Sequence, residues 1–211
     1  MRRFVGRFGW RFGVVVALVL ATATAWASED AFAYQPDQVP HIHPTSPWYL
    51  PRQVTLGGFA GRTVTPQLRI GWELTLIQER ADALMFVFEG GGGWALSTSE
   101  ERDSEGNPGL SWFFEHSLQV GLGYREVFAD DFAWGFKVVS GPAWVGARSP
   151  GLLDERQLIG LLEARFELGH YFGSTQVGLT GGLQTVYGHA AHTYASHGAG
   201  GVMFGIFANW R

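Results

Sequence analysis

Phe114-Glu115-His116-Ser117 sets a carboxylate, an imidazole and a hydroxyl side by side. These are the groups from which nucleophilic acyl chemistry is built, provided that the hydroxyl lies within hydrogen-bond reach of the imidazole and an acid orients it. His116 and Ser117 are adjacent, so in a strand they point to opposite faces. Position 118 is Leu, which leaves that face of the segment without a nucleophile. Ser140, on the matching face of the next segment, is the hydroxyl such chemistry would have to recruit. The candidate catalytic pair is therefore His116 with Ser140, and the simpler expectation is a neutral histidine near an interface with no catalysis.

Gly188-His-Ala-Ala-His-Thr-Tyr-Ala-Ser-His197 gathers His189, His192 and His197 in one loop, and His41 and His43 form a second, sparser pair. Zinc and copper take neutral imidazole nitrogens, but spacing in a loop constrains geometry little, so a hydrated loop without metal is expected. Glu100-Glu-Arg-Asp-Ser-Glu-Gly-Asn-Pro108 is an acidic run suited to hydrated surface or to divalent cations that bridge lipid phosphates. Gly90-Gly-Gly-Gly93 lacks the Lys-Ser/Thr and the following helix of a phosphate loop. Glycine inside a strand marks a bend or a close backbone approach instead. With zero Cys, thiolate metal sites, cysteine nucleophiles and disulfide scaffolds are excluded. No cofactor is expected.

The elements that carry these residues alternate. The chain is 46% hydrophobic and 15% aromatic, with 30 glycines, yet its mean hydropathy is only +0.02. Leu68, Ile70, Trp72, Leu74 and Leu76 share one face, against Arg69, Gly71, Glu73 and Thr75. Over 110–124, Trp112, Phe114, Leu118, Val120 and Leu122 oppose Glu115, Ser117, Gln119, Gly121 and Gly123. Phe132, Trp134, Phe136 and Val138 alternate with Gly135 and Lys137, and Val202, Phe204, Ile206, Ala208 and Trp210 alternate with Gly201 to Asn209. Weaker segments run over about 52–61, 83–97, 157–170 and 174–187. Period-2 alternation means strands with one apolar face. A helix would scatter these residues around its axis, and the glycines would destabilise it.

Arg2, Arg3, Arg7 and Arg11 precede an uncharged stretch, Gly13–Thr24, and then Ala25-Trp26-Ala27. This is the layout of a secretory signal peptide over 1–27, cleaved after Ala27, with Ala33 as a second option. Residues 28–51, with five prolines, read as a periplasmic lead-in, and 52–211 as one all-β domain. Removing the four arginines leaves 11 basic residues against 19 acidic, a net charge of −8. Nucleic acid is excluded as an electrostatic partner.

Connections at Gln78–Asp82, Glu126–Asp131 and Tyr171–Ser174 are short. Those at Thr98–Pro108, Gly146–Arg156 and Gly188–Gly198 are long, and only the first opposite-side turn, Arg62–Pro66, is brief. Short turns on one side with long polar loops on the other predict an eight-stranded antiparallel up-and-down transmembrane β-barrel. Trp94, Trp112, Trp144 and Tyr187 near the loops, and Tyr124, Phe128, Phe132, Tyr171, Phe172 and Trp210 near the turns, fit its two interfacial belts. The inward set then contains Arg69, Glu73, Glu89, Glu115, Arg125, Lys137, Glu163, Arg165 and Glu167. A bore of eight strands is just wide enough for side chains to fill it, so these charges predict a paired polar plug. A secreted lipocalin-like barrel or β-sandwich is the soluble rival, and a narrow gated pore the conducting one.

Residues 52–211 resemble the small eight-stranded outer-membrane barrels of the OmpA/OmpX type. The strand Val202-Met-Phe-Gly-Ile-Phe-Ala-Asn-Trp210 is similar to the aromatic-ended signal that these proteins present to the barrel-assembly machinery, with Arg211 added after the aromatic. The resemblance implies a monomer in the outer membrane of a Gram-negative bacterium, surrounded by lipids and lipopolysaccharide, with a structural, surface-interaction or envelope-integrity role. Lipid A deacylases are barrels of this size that use His and Ser two residues apart on the lipid face; His116 and Ser117 depart from that spacing. A deacylase-like enzyme or a porin-like channel are the alternatives.

Overall fold

The computed structural model describes residues 50–79, 82–95, 109–128, 131–149, 154–188 and 193–210. The expected signal peptide over 1–27, nearly all of the expected lead-in with His41 and His43, the acidic run at 100–108, His189, His192 and Arg211 lie outside them.

Eight strands close into one barrel: β1 (Gln53–Ala60), β2 (Val64–Glu79), β3 (Asp82–Trp94), β4 (Trp112–Val127), β5 (Phe132–Arg148), β6 (Glu155–Phe172), β7 (Thr175–Tyr187) and β8 (Gly201–Trp210). Every neighbouring pair is antiparallel, and β8 closes on β1 through pairs such as Gly57↔Gly205. Closure leaves no sheet edge unpaired, which is what a strand structure needs where no water can satisfy its backbone. A helix, α1 (Tyr194–His197), precedes β8. Thr193 caps it, its hydroxyl accepting from the Ser196 amide at 3.3 Å.

The alternation decides what faces where. In β1 to β6 and in β8 the odd-numbered positions turn inward; in β7 the even ones do. Outward positions hold exposed large apolar side chains, among them Leu68, Phe88, Val120, Leu122, Val138, Phe166 and Leu179. Buried positions hold the charges. A water-soluble barrel has the reverse layering; this is a transmembrane β-barrel with an apolar outer wall. Trp94, Trp112, Trp144 and Tyr187 are exposed near the loop end, and Phe128, Phe132 and Phe172 near the turn end, as the belts require. Tyr171 is the exception: it is buried inside the bore against Ala133 and Val139, because its odd number points it inward.

Three connections differ from the expected ones. The first turn is Gly61–Thr63, and Pro66 stands inside β2 opposite Gly58. It lies one step beyond Gln67↔Gly93, where the β2–β3 ladder begins, a position at which a missing amide is tolerated. β5 and β6 continue as a ladder to Ala147↔Glu155, shortening the Gly146–Arg156 loop, because pairing persists where the lipid-imposed alternation has faded. The Gly188–Gly198 loop contains α1, too short to carry any helical periodicity. Near the turn end β2 bulges between Thr75 and Ile77, so that both Leu76 and Ile77 face outward.

Candidate functional site

All nine predicted lumen charges are buried and converge. Two tiers form. Toward the loops, Arg69 binds Glu163 at 2.6 Å and Gln119 at 2.5 Å, and lies 3.6 Å from Glu115. Glu115 also accepts from Gln67 at 2.9 Å and from Gln184 at 2.7 Å. Toward the turns, Glu73 accepts two bonds from Arg125, at 2.9 and 3.0 Å, one from Asn209 at 2.8 Å, and pairs with Lys137 at 2.6 Å. Lys137 reaches Glu167 at 3.0 Å and donates to Gln53. Arg165 joins the tiers through Glu89, with Glu163 3.8 Å away. A buried charge is tolerated only when paired and hydrogen-bonded, and each of these nine has an opposite charge within reach.

Gln53, Gln67, Gln119, Gln184 and Asn209 complete the lattice; alternation puts Gln119 and Asn209 on the polar face, but the inward set named from sequence holds charges alone. The signal was present in their numbering, since each shares the inward parity of its strand. Their amides work in both directions: Gln184 accepts from Arg69 at 3.2 Å while donating to Glu115.

Apolar side chains gather above and beside the lattice. At the loop end Phe59, Phe113, Ile159, Leu161 and Met203 pack with Ala195 and Ala199, which α1 and its C-terminal flank push into the bore. Phe59 and Phe113 meet edge to face at 6.2 Å. The α1 segment is tied down by Gln184 donating to the Ala199 carbonyl at 2.5 Å, by the Ala195 amide donating to Glu155 at 3.0 Å, and by Gln157 donating to Thr193. Toward the turns Ala83, Met85, Val87, Val127, Val139 and Tyr171 form a second apolar cluster along β3 to β6, whereas the buried inward-facing residues of β1, β7 and β8 there are polar: Gln53, Gln176 and Asn209.

His116 sits on the outer wall at the loop-end belt. Its ring lies edge-on to Trp94 at 5.6 Å and tilted against Phe114 at 5.4 Å. A Cβ on Gly92 would collide with its Nδ1, so the glycine run lets the imidazole lie flat on the strand; inside, Arg69 lies over Gly91 in the same way. Glu115 and Ser117 point into the bore. His116 pairs across to Trp144, whereas Ser140 pairs with Val120, four residues or about 13 Å along β5. The Ser140 hydroxyl instead shares a 2.9 Å hydrogen bond with Tyr187. The fold thus separates His116 from both hydroxyls that sequence offered it. Of the three loop histidines only His197 is described, at the end of α1, and no cluster with metal-ligand character occurs among the described residues.

No protein-family model matches the chain, and no curated protein matches it. Among solved structures it is similar to the outer-membrane enzyme PagL, at 13% identity and a TM-score of 0.49, over 77% of this chain and 99% of that one. The functional reading therefore rests on this chain's own residues.

Proposed function

We propose that the protein is an integral barrel of the Gram-negative outer membrane with a structural, surface-interaction or envelope-integrity role and no catalysis, exported by a cleaved signal peptide. The observation that carries this reading is the filled bore: a lattice of buried, ion-paired side chains, with an apolar layer and α1 closing the loop end. Such a lumen supports a rigid wall and offers no path for solutes. The long loops then face outside and the short turns the periplasm, and the wall contacts lipids and lipopolysaccharide. The β8 strand ending at Trp210 presents the aromatic terminus that the barrel-assembly machinery recognises.

Three experiments test it. The folded protein should migrate differently with and without boiling in the membrane fraction, and verified insertion into planar bilayers should give no conductance; steady channel currents would overturn the sealed-lumen reading. Replacing His116 by Ala should leave the acylation pattern of lipid A unchanged by mass spectrometry. A lost acyl-chain modification would establish the enzyme reading instead.

A further inference from the structure

The outer wall is not evenly clothed. Across β2, β1, β8 and β7 the register sets Pro66, Gly58, Phe204 and Gly181 in one outward-facing row. Two of these four positions have no side chain. The next row toward the turns is Leu68, Leu56, Ile206 and Leu179, all large. The result is a concavity of roughly 560 Å³ on the lipid-facing surface, bounded by Leu56, Val64, Pro66, Leu179, Phe204 and Ile206 and floored by glycine backbone. At Gly58 a Cβ would stand 2.6 Å from the Thr65 carbonyl oxygen, so the backbone leaves no room for a side chain there, whereas Gly181 has space for one and leaves it open. Every bounding side chain is apolar, and Thr180, the one polar residue along the groove, turns inward by its even number.

We infer that this groove is a binding site for one acyl chain of a bilayer lipid. The inference rests on the membrane reading above, which puts hydrocarbon against this wall. A wall without a hydrogen-bonding side chain selects an occupant without polar groups at that depth, and a lipid chain is the flexible rod that fills such a channel. A second copy of the chain fits less well, because a two-fold contact would set concavity against concavity. Recognition is by chain and not by headgroup.

The test is native mass spectrometry of the full mature chain released from phosphatidylethanolamine nanodiscs, with insertion checked by heat-dependent gel mobility of the same samples. A one-lipid adduct is expected. Val64→Trp and Leu179→Trp, which fill the groove from opposite sides, should each lower it about threefold or more, whereas Leu122→Trp on the far wall should not. Phosphatidylglycerol with the same chains should give the same adduct. An inserted protein with no adduct, an adduct unaffected by both filling variants, a headgroup-dependent one, or a dimer in its place would overturn the inference. Failure to insert at all would overturn the membrane reading with it.

Discussion

Arg125 and Glu73 meet through two parallel hydrogen bonds, Nη1 to Oε2 at 2.9 Å and Nη2 to Oε1 at 3.0 Å, and reach each other across the inner face of β3. Removing one member of a buried pair strands the other charge, at a cost of about 3–5 kcal/mol. With Lys137 still beside Glu73, Arg125→Met should lower the unfolding free energy of the vesicle-inserted barrel, read from its urea transition, by up to about that amount. The double variant with Glu73→Met should regain part of the loss, and additive losses in a double-mutant cycle would show that the two residues act independently.

Val120 and Leu158 both face outward, Val120 near the middle of β4 and Leu158 near the loop end of β6, opposite Trp144. In a bilayer, Val120→Arg should cost about 2–4 kcal/mol and Leu158→Arg only about 0–1 kcal/mol. Equal and negligible costs in reversible unfolding would mean that water, not lipid, bathes this wall.

Phe113→Ala removes the ring that meets Phe59 beneath α1. The loss should be about 3–5 kcal/mol, with faster amide exchange at Ala195 and Ala199 as the closure loosens. Planar-bilayer recordings should stay silent even so, since the lattice around Arg69 still fills the bore. Conductance in this variant would identify the apolar layer as the gate.

Asp154 holds Arg148 where β5 passes to β6, accepting from Nε at 2.5 Å and from Nη2 at 2.9 Å. The hydrogen bonds from Arg148 keep its carboxyl below the ordinary carboxylate range. A depressed folded-state pKa stabilises above the unfolded pKa, and the contribution is lost as pH falls through the folded one. Both groups are solvent-exposed, so the effect should be local and salt-sensitive. NMR titration of Asp154 should give a midpoint below that of an unpaired aspartate, and Arg148→Met should restore it; an unchanged midpoint would remove the pairing.

The barrel was legible because lipid on one side and charge on the other enforce strict period-2 alternation, clearest in Leu68–Leu76 and Val202–Trp210. The lumen charges followed from parity alone. Gln53, Gln67 and Gln184 carry no charge to mark them, although parity sets them on the same inward face as Gln119 and Asn209. Tyr171 stands near a strand end as a belt residue would, but its odd number turns it inward, and parity decides its place. The ladder beyond Gly146 and the α1 closure left no periodic trace, since neither is shaped by lipid. Sequence left the His116–Ser140 question open, and it turned on register: a shift of four residues along β5 separates neighbours from strangers.

The strands differ greatly in length, from 8 residues in β1 and 10 in β8 to 17 in β5 and 18 in β6. At about 3.3 Å per residue and a tilt near 40°, β1 climbs only about 20 Å along the membrane normal, short of the about 25 Å apolar band such barrels present. Beside β1 the bilayer would therefore have to thin, while β8, at about 25 Å by the same measure, just spans it and β5 and β6 rise above the opposite rim. The molecule is a wedge in a flat sheet of lipid, and it would set a dent in the membrane on the one side where its wall is low.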